Sequence, residues 1–237
     1  MSVIIKYLRL PFTFNVPLLQ QEVQAIAGQQ WQLHYQVKHY EGNWSAIPLR
    51  SINGKTDDIF VSPHEQVEYK DTLFLQQSNY LQEVLSLFNC RLLAVRLLKL
   101  EAGALIKEHR DADLAFEKGE IRIHIPVQTN KEVEFYLDKE RVHLKEGECW
   151  YMNFNLPHSI HNKSNSDRIH MVIDAEVNDW VRELFSTPGL LLKETEEAGP
   201  TDTTKQQIIA QLRQMNTETS NRLAAEMEAT LQSSGIA

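Results

Sequence analysis

Cysteine is scarce in this chain. Cys90 and Cys149 are the two cysteines among 237 residues, which is too few for a disulfide framework. Uninterrupted apolar runs are short as well, and none approaches the roughly 20 residues that a membrane-spanning helix needs. Residues 1–12 lack the apolar core and the small-residue cleavage site of a signal peptide. We therefore expect a cytoplasmic protein that does not associate with a membrane.

Positive charge is also in short supply. Acidic residues outnumber basic residues by 32 to 24, which gives a formal net charge of −8 at pH 7. Nucleic-acid binding needs a basic surface that neutralises phosphates, so we expect no nucleic-acid partner. The residues from Glu176 onwards hold ten acidic and five basic side chains, so most of the surplus lies in the C-terminal tail.

Helical periodicity is found towards both ends of the chain. Apolar residues at three- and four-residue steps predict helices over residues 16–30, 79–88, 177–185 and 205–232. Residues 31–73 have no sustained period and are predicted to form loops and short strands. We expect one domain with N-terminal helices over residues 1–186, and an acidic helical extension over residues 187–237. The extension could pack on the core or on a second subunit, which makes a homodimer possible.

The middle of the chain has the pattern of β-structure. Between Arg91 and Asp174, short alternating or β-branched runs are separated by turn residues. In residues 120–128, isoleucines and a valine alternate with Arg122 and His124, so the polar side of this strand should face a wet cavity or solvent. Many short strands at this spacing predict a mainly β fold with flanking helices. A double-stranded β-helix, or jelly roll, is the version that can hold a metal between its sheets.

His109 and Asp111 form the first chemically specific motif. Residues i and i+2 of a strand point to the same side, so this imidazole and carboxylate should lie together. A second imidazole from a distant strand would complete the facial triad of non-heme iron oxygenases. The histidines downstream that could supply it are His124, His143, His158, His161 and His170.

His158 fits this role best. It follows Pro157 at the start of a short predicted strand, and Arg168 lies ten residues further on. A guanidinium can hold a carboxylate through two parallel hydrogen bonds, which suits the far carboxylate of 2-oxoglutarate. His161 is the nearest rival, but at three residues from His158 it would face the opposite side of the strand.

Several stretches, in a fixed order, carry a resemblance to a known family. They read "WSAIPLRS", "IKEHRDADL", "EIRIHIPV", "GECWYMNFNLPHSIHN" and "SDRIHMVID". Together they resemble the aspartyl/asparaginyl β-hydroxylase family, including its bacterial cis-proline hydroxylase branch. The resemblance implies a dioxygenase that uses Fe(II), 2-oxoglutarate and O2 to hydroxylate an unactivated C–H bond, with release of succinate and CO2.

The resemblance also implies roles for individual residues. The iron ligands would be His109, Asp111 and His158, and the residues holding 2-oxoglutarate would be Arg168, Arg122 and His124. Some family members lack the carboxylate ligand. Asp111 places this chain with those that keep it, many of which act on small amino acids.

The stretch that contains Trp44 and Arg50 lies where the family's substrate loops fall, so both are candidate substrate-binding residues. A surface role for Arg50 is an equal alternative. The substrate would be a free amino acid, or an Asp, Asn or Pro residue of a peptide. Two other functions stay open. One is a cupin-like non-redox metalloenzyme, which would not need Arg168, and the other is a non-catalytic module that senses metal and 2-oxoglutarate.

Overall fold

The computed structural model describes residues 3–28, 31–61, 67–196 and 202–234. Contacts divide the chain into two compact units. One unit comprises residues 5–194, and the other comprises residues 1–4 and 195–237. The first unit holds the β-structure and its flanking helices, and the second holds the C-terminal helices. The expected division between residues 186 and 187 stays a prediction.

The elements are numbered in chain order. The strands are β1 (Val3–Thr13), β2 (Gln32–Leu33), β3 (Tyr40–Glu41), β4 (Trp44–Ile52), β5 (Tyr69–Asp71), β6 (Leu92–Leu100), β7 (Leu105–His109), β8 (Glu120–Gln128), β9 (Val133–Leu137), β10 (Glu140–Val142), β11 (Glu148–Met152), β12 (His158–Asn162), β13 (Arg168–Glu176) and β14 (Leu192–Glu196). The α-helices are α1 (Val16–Ala27), α2 (Leu73–Gln76), α3 (Asn79–Ser86), α4 (Asp179–Phe185), α5 (Asp202–Met215) and α6 (Glu218–Ser234). Short 3-10 turns lie at Val37–His39 and Phe116–Lys118.

Two sheets face each other in the first unit. The larger has the order β14-β1-β11-β8-β13-β6-β4-β2, with β5 also paired to β4, and the smaller has the order β10-β9-β12-β7-β3. In the central run β8-β13-β6-β4, each strand is antiparallel to its neighbour. Apolar side chains from the facing sides of both sheets, such as Leu98, Phe135 and Trp150, form one core. This arrangement is the predicted jelly roll.

Helices cover the outer side of the larger sheet. Ile121, Ile123 and Ile125 of β8 pack there in a second apolar core, together with side chains of α1, α3 and α4. Because neighbouring residues of a strand point to opposite faces, Arg122 and His124 must then point inwards, between the two sheets. The alternation of β8 therefore places polar groups in the interior of the jelly roll, as its sequence predicts.

The predicted helices are found with small changes of length. Helix α1 begins at Val16 after Asn15, whose side chain accepts a hydrogen bond from the Leu18 N–H. It ends at Ala27, and residues 29–30 of the prediction lie outside the described residues. The helix predicted over residues 205–232 is interrupted, because Asn216 has a φ of 47° between α5 and α6. None of the helices that the structure describes is long and apolar enough to cross a membrane.

Strand β4 corrects the prediction of loops and short strands over residues 31–73. It is nine residues long and buried over most of its length. The sequence did not predict this strand because Pro48 lies within it, and proline lacks an N–H and is rare inside sheets. In the structure, Pro48 lies between the residues of β4 that pair with β2 and those that pair with β5. On the edge of β4 that pairs with β2 and β5, the missing N–H of Pro48 therefore removes no hydrogen bond between these strands.

Gly147 occupies a backbone position that a side chain would disturb. Its φ is 75°, and an added Cβ would lie 2.6 Å from the Phe14 carbonyl oxygen. The residue also links two elements, because its carbonyl accepts from the Phe14 N–H and its N–H donates to the Pro126 carbonyl, both at 2.9 Å. The turn before β11 therefore needs glycine for its backbone angle and for close approach.

We predict that Gly147→Ala lowers the free energy of unfolding by at least about 2 kcal/mol, because left-handed backbone strain and a steric clash add together. Gly103→Ala is the matched control. Gly103 has a φ of 77°, but an added Cβ would meet no described atom within 4 Å, so we expect a loss of about 1 kcal/mol. Urea unfolding measures the free energy of unfolding of both variants. Equal losses would mean that the close contact with the Phe14 carbonyl oxygen does not affect stability.

Candidate metal centre

Two histidines meet across neighbouring strands of the smaller sheet. His109 ends β7, His158 begins β12, and the two are paired in the antiparallel register. Asp111 follows two residues after β7, where its N–H donates to the Phe154 carbonyl at 2.9 Å. The nitrogen and oxygen atoms that these three side chains can offer to a metal lie within 4.8 Å of one another. The fold thus brings together the three side chains that were predicted to act as ligands.

The hydrogen bonds of the two histidines leave the same ring nitrogen of each available. The Nδ1 of His109 lies 2.8 Å from the Lys107 carbonyl oxygen, and the Nδ1 of His158 lies 3.1 Å from that of Leu156. A carbonyl oxygen only accepts hydrogen bonds, so Nδ1 carries the proton and Nε2 keeps a free lone pair. Metal-ligating histidines typically have such a partner on their other nitrogen.

The protonation states of the side chains in the cluster suit metal binding. Burial and the neighbouring charge of His109 lower the pKa of His158 to about 4, so its ring is neutral at pH 7. Burial alone would raise the pKa of the Asp111 carboxyl, but Arg122, the two histidines and Arg96 together outweigh burial, and the pKa lies below its usual value. Neutral imidazole and ionised carboxylate are the forms that bind metals. Two imidazoles and one carboxylate fit Fe(II) with open coordination positions.

One inner cavity contains most of the predicted site residues. Its polar walls are His109, Asp111, Arg122, His124, His158 and Arg168, and its apolar walls are Trp44, Leu98, Ile106, Phe154 and Ile160. The free volume is about 30 Å³, which is room for a water molecule. Arg168 also borders a second cavity of about 620 Å³, which lies against the segments around residues 129–135 and 142–146.

Arg168 is a buried cation that is not paired with a carboxylate among the described residues. It is 1% exposed, its Nη2 lies 2.8 Å from Nδ1 of His170, and its Nε has no hydrogen-bond partner in the described part of the chain. Burial lowers the pKa of its guanidinium to about 9, so it remains charged at pH 7. Buried charges are normally paired, and this one is therefore suited to an anionic ligand.

The other two predicted co-substrate residues differ from Arg168. Arg122 already binds carboxylates, since Nη1 donates to Asp111 at 2.6 Å and Nε donates to Asp174 at 2.6 Å. His124 stacks on Phe154 with ring centroids 4.9 Å apart, and its buried Nε2 has no partner within the described ranges. His124 can still accept or donate a hydrogen bond in the cavity, whereas Arg122 has few free donors.

The structure brings Trp44 to the cavity but not Arg50. The Arg50 guanidinium pairs with Asp71 and donates to the Leu92 carbonyl at 3.2 Å, and it borders a separate surface hollow. Simple alternation along β4 would have placed Trp44 and Arg50 on one side. The pairing of β4 with β6 shifts between Pro48 and Arg50, and this irregularity breaks the alternation.

Four residues close to the cluster were not among the predicted site residues. His34 stacks on Trp44 with ring centroids 3.5 Å apart, and the His39 ring lies 4.9 Å from that of His109. Both histidines fall in a stretch without periodicity, so no signal pointed to them. Arg96 and Asp174 form a buried ion pair at 2.9 Å. Arg96 and Asp174 each lie inside a mostly apolar run of their strand, β6 and β13, and this was a signal that could have revealed the pair.

The fold and the cluster define a jelly-roll protein with a candidate mononuclear metal centre between its sheets. A family model described as aspartyl/asparaginyl beta-hydroxylase matches residues 13–177. The chain therefore belongs to the aspartyl/asparaginyl β-hydroxylase family, which confirms the resemblance in its sequence.

Individual proteins are also similar to this chain. The L-proline cis-4-hydroxylase of Rhizobium meliloti (strain 1021) is 28% identical over 137 residues, which cover 57% of this chain and 48% of the relative. The chain thus spans about half the length of the curated relative that it matches. An oxidoreductase of the 2OG-Fe(II) oxygenase family from Burkholderia pseudomallei has a TM-score of 0.45 at 11% identity, covering 67% of this chain and 79% of that one. A non-heme α-ketoglutarate-dependent carbocyclase from nogalamycin biosynthesis has a TM-score of 0.48 at 10% identity, covering 73% and 79%.

The buried histidines make the stability of the metal-free protein depend on pH. Burial, and then the charge of Arg168, hold the pKa values of His124 and His170 well below their usual value. Both therefore stay neutral in the folded state while the unfolded chain takes up protons below about pH 6.5. Because the unfolded state then binds more protons, stability falls as the pH falls.

We predict that the free energy of unfolding of the metal-free protein decreases between pH 6.5 and pH 5. Each histidine that stays neutral contributes at most about 2 kcal/mol to this decrease. Urea unfolding at several pH values measures the slope. His170→Gln should reduce it, and His143→Gln, at an exposed position, should leave it as in the wild type. A slope that is the same in all three proteins would contradict the assignment.

Proposed function

We propose that this chain is an Fe(II)- and 2-oxoglutarate-dependent dioxygenase. It would hydroxylate an unactivated C–H bond of a free amino acid, or of an Asp, Asn or Pro residue, and release succinate and CO2. The observation that carries the proposal is one cavity that contains His109, Asp111 and His158 together with the buried Arg168, which has no carboxylate partner among the described residues. Membership of the family supports it. Cytoplasmic location and dimerisation through the C-terminal helices remain predictions.

Each polar group of the cavity has a role in this proposal. His109, Asp111 and His158 would hold the iron, and 2-oxoglutarate and O2 would be the co-substrates of the reaction. Bound iron would supply the oxidative chemistry that protein side chains cannot perform. Arg168 would orient the co-substrate by holding its far carboxylate. Apolar walls such as Phe154 and Ile160 would keep water away from the reacting groups.

The volume of the cavity limits which molecules can bind without movement of side chains. The free volume of about 30 Å³ is too small for 2-oxoglutarate, so side chains have to move when it binds. Arg168 also borders the larger cavity of about 620 Å³, which offers room beside the guanidinium. The relative from Rhizobium meliloti is named for hydroxylation of L-proline, which supports a free amino acid over a peptide residue as the substrate.

The first test uses the purified protein with Fe(II) and 2-oxoglutarate in the absence of oxygen. We expect a weak visible metal-to-ligand charge-transfer band in the wild type. His109→Ala, Asp111→Ala and His158→Ala should lose or weaken this band. Arg168→Ala should bind 2-oxoglutarate roughly 10- to 100-fold more weakly, because a charge-assisted bidentate hydrogen bond is lost. Arg222→Ala, at an exposed position of α6, is the matched arginine control and should behave as the wild type.

Turnover separates the proposal from its two alternatives. Succinate released with an amino acid such as proline, or with a peptide, supports the dioxygenase. A folded, iron-loaded wild type that gives no band contradicts it and favours the cupin-like non-redox enzyme. A band without succinate release for any amino acid or peptide favours the sensing module.

A further inference from the structure

Two arginines and two aspartates form a continuous chain of ion pairs beside the candidate metal centre. Arg122 donates from Nη1 to Oδ2 of Asp111 at 2.6 Å. The same guanidinium holds Asp174 with two bonds, from Nε at 2.6 Å and from Nη2 at 3.0 Å. Arg96 donates from Nη2 to Oδ2 of Asp174 at 2.9 Å, so Asp174 pairs with both arginines. We call these four residues the charged array.

Strand order builds the charged array. Strand β13 lies between β6 and β8, and in its register Asp174 is opposite Arg122 of β8, while the neighbouring inward residue Val172 is opposite Arg96 of β6. Asp174 is 1% exposed and Arg96 is 3% exposed. Buried charges of this kind are tolerated only when they are paired. The two positive and two negative charges of the array balance one another.

The array controls which oxygen of Asp111 faces the histidines. Arg122 binds Oδ2, while Oδ1 lies 3.6 Å from Nε2 of His109. A carboxylate held in this way offers one oxygen to a metal between the two imidazoles and cannot rotate to offer both. Arg122 itself cannot turn away easily, because two of its hydrogen bonds end on Asp174.

We infer that Arg122 is the positioning residue of Asp111, and that Asp174 and Arg96 act through it by fixing its guanidinium. This inference rests on the proposed function, because it takes Asp111 as a metal ligand. It differs from the role that the family resemblance implied for Arg122, which was to hold 2-oxoglutarate. Three of the five N–H groups of Arg122 already donate to Asp111 and Asp174, which leaves one N–H on each terminal nitrogen.

The test measures binding of Mn(II) alone, without 2-oxoglutarate, by calorimetric titration of the full chain. Asp174→Asn keeps the size of the side chain and removes its charge. We expect its affinity for Mn(II) to fall about 10- to 100-fold, as is typical when a partner of a metal ligand is lost. Glu183→Gln makes the same change of charge at an exposed position of α4 and should leave the affinity unchanged. Wild-type affinity in Asp174→Asn would overturn the inference.

A double-mutant cycle separates positioning from simple loss of negative charge. If Asp174 acts by holding Arg122 on Asp111, then Asp174→Asn should change the affinity less than about threefold in an Asp111→Ala background. An equal loss in both backgrounds would mean that only the overall charge matters, and positioning would be rejected.

Arg122→Lys provides an independent variant, should Asp174→Asn fail to fold. Lysine keeps the positive charge but cannot bridge Asp111 and Asp174 with a planar fork. We expect at least a tenfold loss of Mn(II) affinity and a native circular dichroism spectrum. Unchanged Mn(II) affinity with weaker binding of 2-oxoglutarate would instead assign Arg122 to the co-substrate and overturn the inference.

Failure of the proposed function gives a different pattern. A wild type that binds Mn(II) in a His109-dependent way but never releases succinate would reject the dioxygenase and leave the positioning of Asp111 intact. A wild type that does not bind Mn(II) at all would reject the metal centre and, with it, the inference.

Discussion

Charge buried between two sheets is the constraint on which the rest of this structure depends. Strand β13 turns Arg168, His170 and Asp174 into the interior of the jelly roll, where an unpaired charge is costly. The protein compensates Asp174 with Arg96 and Arg122. It leaves Arg168 without a carboxylate among the described residues. Asp174 is held in place by its two partners, whereas Arg168 is suited to an anionic ligand. In the proposed function, one strand would therefore supply both a rigid ion pair and a ligand-binding charge.

Sequence patterns revealed the elements whose side chains obey a local rule. The alternation of β8 depends only on the two-residue period of a strand, so its inward residues Arg122 and His124 could be named in advance. The same period predicted that His109 and Asp111 lie together, and they do, although β7 ends at His109 and Asp111 lies in the loop that follows. Their closeness to His158 does not follow from this period, because it needs the pairing of β7 with β12. His158 was instead favoured by its place at the start of a predicted strand, with Arg168 ten residues further on, and the ordered motifs of the family supported the same choice.

Irregular backbone and pairing between distant residues explain which parts of the site could not be predicted from the sequence. Pro48 concealed β4, and the register shift after it moved Arg50 away from the cavity, although Arg50 has the same parity as Trp44. The partners of Arg122 were equally hidden. Asp111 and Asp174 come from a loop and from another strand, at 11 and 52 positions along the chain. A sequence motif can indicate that an arginine is functional. Which carboxylates the arginine pairs with is known only from the folded structure.

The charges of the site also determine how a metal and a co-substrate would affect each other's binding. The charged array is neutral as a whole, so Arg168 is the surplus positive charge of the cavity in the metal-free protein. A divalent metal on Asp111 would raise this surplus, and both charges lie in a setting where water screens them little. A dianion that touches the metal at one end and Arg168 at the other would reduce the surplus at both ends. The metal and a 2-oxo dicarboxylate should therefore strengthen each other's binding, since each relieves the charge that the other leaves exposed.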